Sequence, residues 1–517
     1  MTTINNPKVS ITKVSEERDV SVSSQRVLIV GQQTGTVYSS GELIQDIGNS
    51  GLEISNIGKG SQLAEMLVGF KTINTETPVD AIALDDNDTG VKATGEIEFT
   101  GTATGSGVLT VYIGSRDNHT YTVQVVVGDT AAQVGDKLVS AINADTSKLT
   151  TAVNTDGAVA LTAVNAGTLG NGIGLQVIGR VAGISTTITA MASGSVDPSL
   201  TNLFDVIGDM RYQTIVFPSN LDVEVVAKTA GDLDSLLDPR WNSNNAILDG
   251  VCVISKTESL SNLKTFLNSK NSQSLIVHCQ KSINETLYKG SSIFELDAVI
   301  ASKIGAVRAL GLTEGADNSN VIVANNADSV GGPHIASLPY TNRSIYLPLI
   351  EVGKGWKESE VSDLKSAGGF VIGNNTARTK TVLGEIITTY KYDLNGNTDT
   401  TYKFLNSVDI ASISAEYIFN NIKSTYSQYR LTDGVVYGNR NITNLDGIRS
   451  KLVEFYTVLS GENYMLYRSG NENIQYFVEN LTLTMNLSTG SVSGNAKTPN
   501  VSQLRALDLK LQSVFNI

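Results

Sequence analysis

The stretch 250-GVCVISKTESLSNLKTFLNSKNSQSLIVHC-279 reads as strand, helix and strand in succession. An apolar run at 250-GVCVIS-255 gives way to the helical pattern 259-SLSNLKTFLNS-269 and then to a second apolar run, 274-SLIVHC-279. The same alternation extends on both sides. Upstream lie a buried strand at 27-VLIVG-31, a helix over 61-SQLAEMLVGF-70 and a strand at 79-VDAIAL-84. Ser61 caps that helix, and Leu63, Met66, Leu67 and Phe70 share one face. Strand 213-QTIVFP-218, the segment 221-LDVEVVAKTAGDLDSLL-237 and a helix around 294-FELDAVIASKIGAVRAL-310 complete the series. Such alternation predicts helices packed on a largely parallel sheet that forms the main core.

Between residues 86 and 197 the composition turns rich in Thr, Gly, Ala and Val and poor in aromatics. Here 107-GVLTVYIG-114 and 120-TYTVQVVVG-128 read as hairpin strands, and 130-TAAQVGDKLVSAIN-143 as a helix with Val134, Leu138 and Ile142 one turn apart. Strands are expected again at 151-TAVN-154, 158-AVALTAV-164 and 174-GLQVIG-179. The segment reads as a small α+β domain inserted between the halves of another.

Beyond residue 360, a helix at 361-VSDLKSAG-368 leads through 370-FVIG-373 into 384-GEIITTYKYDLNGNTDTTYKF-404, two strands around an Asn395-Gly396 turn. Two amphipathic helices follow. Ile410, Ile413, Tyr417 and Ile422 share a face of one; Leu445, Ile448, Leu452, Phe455 and Leu459 line the other. Alternating segments close the chain: Leu481, Leu483, Met485 and Leu487 in 478-VENLTLTMNL-487, and Leu507, Leu509 and Leu511 in 504-LRALDLKLQSVFNI-517. At the other end, Val9 and Ile11 alternate with Ser10 and Thr12 in a polar arm that forms no core alone.

The 517 residues exceed what one compact core takes, and 41% hydrophobic with 17% charged residues is globular composition. With 38 basic against 51 acidic side chains, a net charge of -13 and no basic cluster, the footprint of a phosphate-backbone partner is missing. No secretory h-region follows Met1 and no apolar run approaches ~20 residues, so neither a signal peptide nor direct membrane contact is expected. Cys252 and Cys279 read most simply as buried small hydrophobes in a reducing compartment, a disulfide being the alternative.

Chemistry-bearing patterns are sparse. In 85-DDNDTGVKATGE-96, Asp85, Asn87, Thr89, Gly90 and Glu96 take the spacing of a calcium loop. The segment follows a strand instead of a helix, however, and carries Lys92 at its eighth position, so a polar junction loop is the better reading and no metal is expected. The glycines of 31-GQQTG-35 and 167-GTLGNGIG-174 lack the lysine of a phosphate loop. His119, placed in a hairpin turn, His278, in an apolar strand, and His334, in a Gly-Pro loop, form no ligand pair and read as structural. Neither the carboxylates of 231-GDLDSLLD-238 nor the serine of 104-TGSGV-108 sits in a catalytic context, so no catalytic residue, no cofactor and no enzyme are expected.

The hairpin 384 to 404, with its G-x-I-I-T-T-Y strand and N-x-D-x-x-Y return, preceded by 361-VSDLKSAGGFVIG-373, resembles contractile tail sheath proteins, particularly those of Mu-like phages. Its motif residues here are Thr388, Thr389, Tyr390, Asp399 and Tyr402. The segment 236-LLDPRW-241, the long helix from about Ile410 to Arg430, the paired terminal strands and the Thr-rich insert are similar to parts of that family.

The resemblance implies a structural subunit, not an enzyme. Sheath subunits stack in rings, commonly sixfold, around an inner tail tube, with baseplate and tail terminator proteins at the ends. Contraction on triggering drives the tube through the host envelope. It also implies a virion component assembled in the host cytoplasm. Val9, Ile11, Leu481, Leu483, Met485, Leu487, Leu507, Leu509 and Leu511 then become candidates for strand pairing between neighbouring subunits.

The expected fold is multidomain α/β and α+β: a central mixed sheet with helices, an inserted β-rich domain, and extended terminal strand arms. The boundaries are an arm over 1-25, a discontinuous main domain over 26-85 and 198-360, an outer insert over 86-197, an α+β part over 361-475 and a C-terminal arm over 476-517. The competing readings are a secreted or surface self-assembling β-rich protein, and an α/β enzyme with a site built from distant loops.

Overall fold

The computed structural model describes residues 25-48, 51-200, 203-221, 240-241, 247-316, 340-393, 395-436, 441-459 and 471-498. Its centre is the sheet announced by the apolar runs. Strands β1 (Val27–Gln32), β2 (Glu42–Ile44) and β3 (Val79–Leu84) flank helices α1 (Leu52–Ile57) and α2 (Gln62–Lys71). Ser61 caps α2 by accepting from the Ala64 amide at 3.4 Å.

The Thr-rich segment contributes β4 (Lys92–Gly101), β5 (Gly107–Ile113), β6 (Ser115–Val125), helix α3 (Ala131–Ala144), β7 (Thr150–Thr155), β8 (Ala158–Ala166), β9 (Leu175–Ile178) and β10 (Ile184–Ala192). Then follow α4 (Leu203–Ile207), β11 (Thr214–Val216), β12 (Val251–Glu258), α5 (Leu260–Asn268), β13 (Leu275–Glu285), β14 (Tyr288–Ser291) and α6 (Asp297–Ala316).

Parallel pairing runs β3, β1, β11, β12, β13, with β2 antiparallel at the edge. Alternate residues of β1 feed opposite cores: Val27 and Ile29 pack with Phe70 of α2 and Ile304 of α6, while Leu28 and Val30 pack with Leu263 and Leu267 of α5. Burial on both faces explains why these strands read as continuous apolar runs instead of alternating ones. Cys252 and Cys279 are free and buried on the second face.

The 91-192 region has its own core, in which Ile97, Phe99, Val111, Val123, Val134 and Leu161 meet under α3, and a four-stranded sheet in the order β10, β4, β8, β7. It is also joined to the main sheet. β13 outruns β12 and turns antiparallel to β14, which pairs with β9, and β9 leads to β5 and β6. One mixed ten-stranded sheet results.

Within the 91-192 region two strands, β4 and β10, lie where none was expected. In β4, Ala93, Gly95, Ile97 and Phe99 point inward against Thr94, Glu96 and Glu98, so the alternation is weak in its first half and apolar only from Ile97 on. The β5–β6 turn is also tighter than expected. It falls at Gly114, whose φ of +74 suits glycine, so His119 lies inside β6, buried, and not in a turn. The glycines of 167-174 form a single 3-10 turn, Thr168–Gly172.

The remaining elements are α7 (Glu358–Ala367), β15 (Ile372–Asn374), β16 (Thr381–Leu383), α8 (Leu405–Tyr426), β17 (Arg430–Leu431), β18 (Ile442–Thr443), α9 (Leu445–Leu459), α10 (Asn471–Asn480), β19 (Thr482–Asn486) and β20 (Ser491–Asn495). Helices α8, α9 and α10 share a small core in which Tyr456 stacks on Phe477 at 4.2 Å and Tyr417 meets Phe455 edge-on. Among the described residues no helix is long and apolar enough to cross a membrane. Most of 221-237 and all of His334 lie outside the described residues.

Candidate functional site

Two features carry the sequence motifs: the hairpin over 384-404 and the strand pair β19–β20. The hairpin is an irregular ladder. Isolated antiparallel bridges join Ile387 to Phe404 and Tyr392 to Thr398, and the return side carries one residue more than the outgoing side. Asp393 holds the turn by accepting from the amides of Asn395 and Asn397 at 2.9 and 2.8 Å, with Gly396 at φ +81.

All five motif residues meet here. Thr388, fully buried, donates to the Tyr402 carbonyl at 2.7 Å and bridges Ile276 of β13. Thr389, also fully buried, exchanges hydrogen bonds with the backbone of Ser272 at 3.0 and 3.1 Å. The Tyr390 hydroxyl donates to Asp399 at 2.7 Å, and its ring lies edge-on to Tyr402. Burial and the Asp399 bond push the Tyr390 phenol up; hydrogen bonds from Tyr390 and Thr401 hold the Asp399 carboxyl below the usual carboxylate range.

Trp241, from the 236-LLDPRW-241 segment, stands edge-on to Tyr402 at 5.6 Å. Two stretches singled out separately in the sequence are therefore in contact. The arrangement is a clamp. Lys391, whose importance no local pattern announced, donates to the carbonyls of Leu267, Lys270 and Ala367, tying the last turns of α5 and α7 to the hairpin. Tyr390→Phe is expected to cost about 1 kcal/mol, because a hydrogen bond to a carboxylate is lost while the ring contact remains. A thermal melt unchanged within error would show that Asp399 gains nothing from the hydroxyl.

The second feature is open. β19 and β20 pair antiparallel from Thr482–Asn495 to Asn486–Ser491. The partner of β19 is thus a strand within what read as a loop, while 504-517 lies outside the described residues, as do Val9, Ile11, Leu507, Leu509 and Leu511. Leu481 is buried against Phe477, Leu483 and Met485 are half-buried, and Leu487 is exposed. Among the described residues this sheet has two strands only. Beside it lies a cleft of about 540 Å³ lined by Ile418, Ile422, Leu452, Phe477, Leu481, Leu483 and Val492.

Among the described residues, the acidic and histidine side chains singled out in the sequence serve structural contacts here. Asp85 accepts from Gln33, Asp86 from Gln32, Asn165 and the Ala166 amide, and Glu96 sits within β4 between Ala160 and Thr189. The acidic loop therefore fastens the 91-192 region to the main sheet, and among the described residues no three His, Cys, Asp or Glu side chains are placed to hold a metal. His278 contacts Ser255 and Phe370, and burial pushes its imidazole down to about 3.

No family model matches the chain. It is similar to the Mu-like prophage FluMu tail sheath protein of Haemophilus influenzae, 31% identical over 219 residues, a match that takes in 41% of this chain and 43% of that protein. The matched part is thus under half of that relative's length. Solved structures that align along nearly the whole chain include the sheath tail protein Lin1278 of Listeria innocua, at 10% identity and TM-score 0.41, covering 94% of this chain and 97% of that one. Another is the anti-feeding prophage helical sheath in its contracted state, at 9% identity and TM-score 0.41, covering 99% of both chains. Both superpositions are too loose to define a shared fold. The sequence match stands by itself: the chain resembles a Mu-like tail sheath protein, the family to which its hairpin motif pointed.

Proposed function

We propose that the chain is a structural subunit of a contractile tail sheath, polymerising around an inner tube and contracting on a trigger to drive that tube through a host envelope. The observation that carries the reading is the two-stranded β19–β20 sheet beside an apolar cleft. An unpaired strand edge offers backbone donors and acceptors to another chain, and adjacent apolar surface gives alternating side chains somewhere to go. The similarity to a sheath protein supports the same reading.

In this scheme Leu481, Leu483, Met485 and Leu487 receive strands, and Val9, Ile11, Leu507, Leu509 and Leu511 belong to the arms that neighbours donate. The 86-197 insert faces outward, the 361-475 part carries the clamp, and rings are sixfold. The tube, baseplate and terminator are the partners. Assembly takes place in the host cytoplasm and the product resides in the virion. Energy is held in the lattice of subunits, so the subunit needs no catalytic residue, cofactor or nucleic-acid contact.

Negative-stain electron microscopy of the purified full chain tests this. Striated tubes or stacked rings are expected. A small closed oligomer that stays small across salt and concentration would remove the sheath reading and favour an enzyme.

A further inference from the structure

The seam between the 91-192 region and the main body holds a buried group of ionisable side chains that the assembly reading does not use. His119 of β6 is 1% exposed, and its Nε2 lies 3.2 Å from Glu65 on α2. Its Nδ1 has no hydrogen-bond partner and stands 3.7 Å from Asp145 at the end of α3. Glu295, just before α6 and 3% exposed, accepts from Ser115 of β6 at 3.0 Å. Three further groups face this cluster. The Tyr121 hydroxyl donates to Asp145 at 2.9 Å, Lys148 donates to the Asp145 carbonyl, and Lys303 of α6 is turned toward the Tyr346 carbonyl at 2.8 Å while still acting on Glu295.

The seam is close-packed. Leu296 and Val299 belong to the core of the 91-192 region although they flank and begin α6, and a Cβ on Gly60 would collide with the Lys148 carbonyl. Water has little room to screen the charges, so each one that appears must find a partner or separate the faces.

We infer that His119, Glu65, Asp145 and Glu295 form a proton-controlled latch, which closes the 91-192 region onto the main body when His119 and Glu295 carry protons and loosens it when they lose them. Protonated His119 faces two carboxylates, and protonated Glu295 brings no charge into the seam. Removal of both protons leaves the buried carboxylates of Glu65 and Glu295 and the half-buried one of Asp145 around a neutral imidazole, with Lys303 the cation that acts on Glu295.

The titration behaviour agrees in sign. Burial pushes Glu295 up to about 7. Burial alone would lower His119, but the hydrogen bond and charge of Glu65, with the charges of Asp145 and Glu295, outweigh it and hold the imidazole above its ordinary value. Both groups are raised in the closed form. Their contribution is therefore complete below their open-state values and is lost as pH rises, through about 7 for Glu295 and above about 6.5 for His119.

Hydrogen exchange of the full chain between pH 5 and 8.5, corrected for intrinsic rates, tests the latch. Protection of Ser115–Val125, relative to β1, should fall by up to about tenfold per pH unit between roughly 5 and 7, the slope for one proton released on opening. Glu295→Gln should flatten that part of the profile, and Glu65→Gln should move the remaining step to lower pH. Should Glu295→Gln fail to fold, the wild-type profile and Glu65→Gln still decide. A flat wild-type profile, or an unaltered slope in a folded Glu295→Gln chain, overturns the latch.

Discussion

Asp409→Ala is expected to destabilise the chain by about 3–5 kcal/mol, the largest single-residue loss of stability foreseen here, because it strands a buried cation. Asp409 of α8 is 1% exposed and accepts from Arg308 of α6 at 2.6 Å and from the Tyr340 hydroxyl at 2.6 Å. Arg308, 3% exposed, then keeps only neutral acceptors, the Gln213 carbonyl and the Thr214 hydroxyl, and its Nε already lacks one. The guanidinium cannot shed its proton to escape, as a lysine might.

Trp241 lines the same pocket and makes a local reporter, so the loss is read as a drop in the urea midpoint of its fluorescence in a Trp356→Phe background. Replacing both partners, as Arg308→Met with Asp409→Leu, should recover most of the loss, since the pair's desolvation disappears with it. A single-variant loss under about 1 kcal/mol would mean that water reaches Arg308.

That pair joins residues 101 positions apart, and this separation is why nothing in the sequence announced it. What was legible follows from short-range physics. The apolar runs of β1, β3, β12 and β13 and the cap at Ser61 are local, and they fall where the patterns place them. In β4 the inward set is Ala93, Gly95, Ile97 and Phe99, so only its second half carries an apolar signal; in the first half small residues let Gly170 and Met191 approach closely. Hydropathy also misplaced His119, since a polar residue buried against Glu65 and Asp145 of two other segments looks, by itself, like a turn. The link from β13 through β14 to β9 was hidden for the same reason: β14 is four residues, YKGS, without an apolar pattern.

At the motif hairpin the sequence signalled which residues matter, and the structure supplies a reason that spacing could not. Thr388 and Thr389 are buried because they serve backbone groups of neighbouring segments, and Lys391 matters because two helix ends converge on it. Motif recognition and physical role coincide there without either implying the other.

Leu483→Asp is expected to raise the concentration needed for assembly about 30-fold or more, the cost of a central apolar anchor at an interface, while the subunit stays folded. Leu483 is half-buried on the cleft side of β19, beside Phe477, Leu481 and Val492, so its own fold loses about 1–2 kcal/mol. The carboxylate would set a charge in the apolar part of the cleft, where an incoming strand has to bury its own apolar side chains. Thr484→Asp, on the opposite and exposed face, is the control and should assemble nearly as wild type. Pelleting of assembled material across a dilution series measures all three chains. A chain ending at Asn500 adds the decisive comparison. If residues 501-517 of a neighbour fill the cleft, the shortened chain fails as badly as Leu483→Asp, and combining the two adds little further loss, because both remove one contact. Additive losses would assign the cleft and the terminal segment to different contacts, and equal failure of Thr484→Asp would move the docking surface off the cleft face altogether.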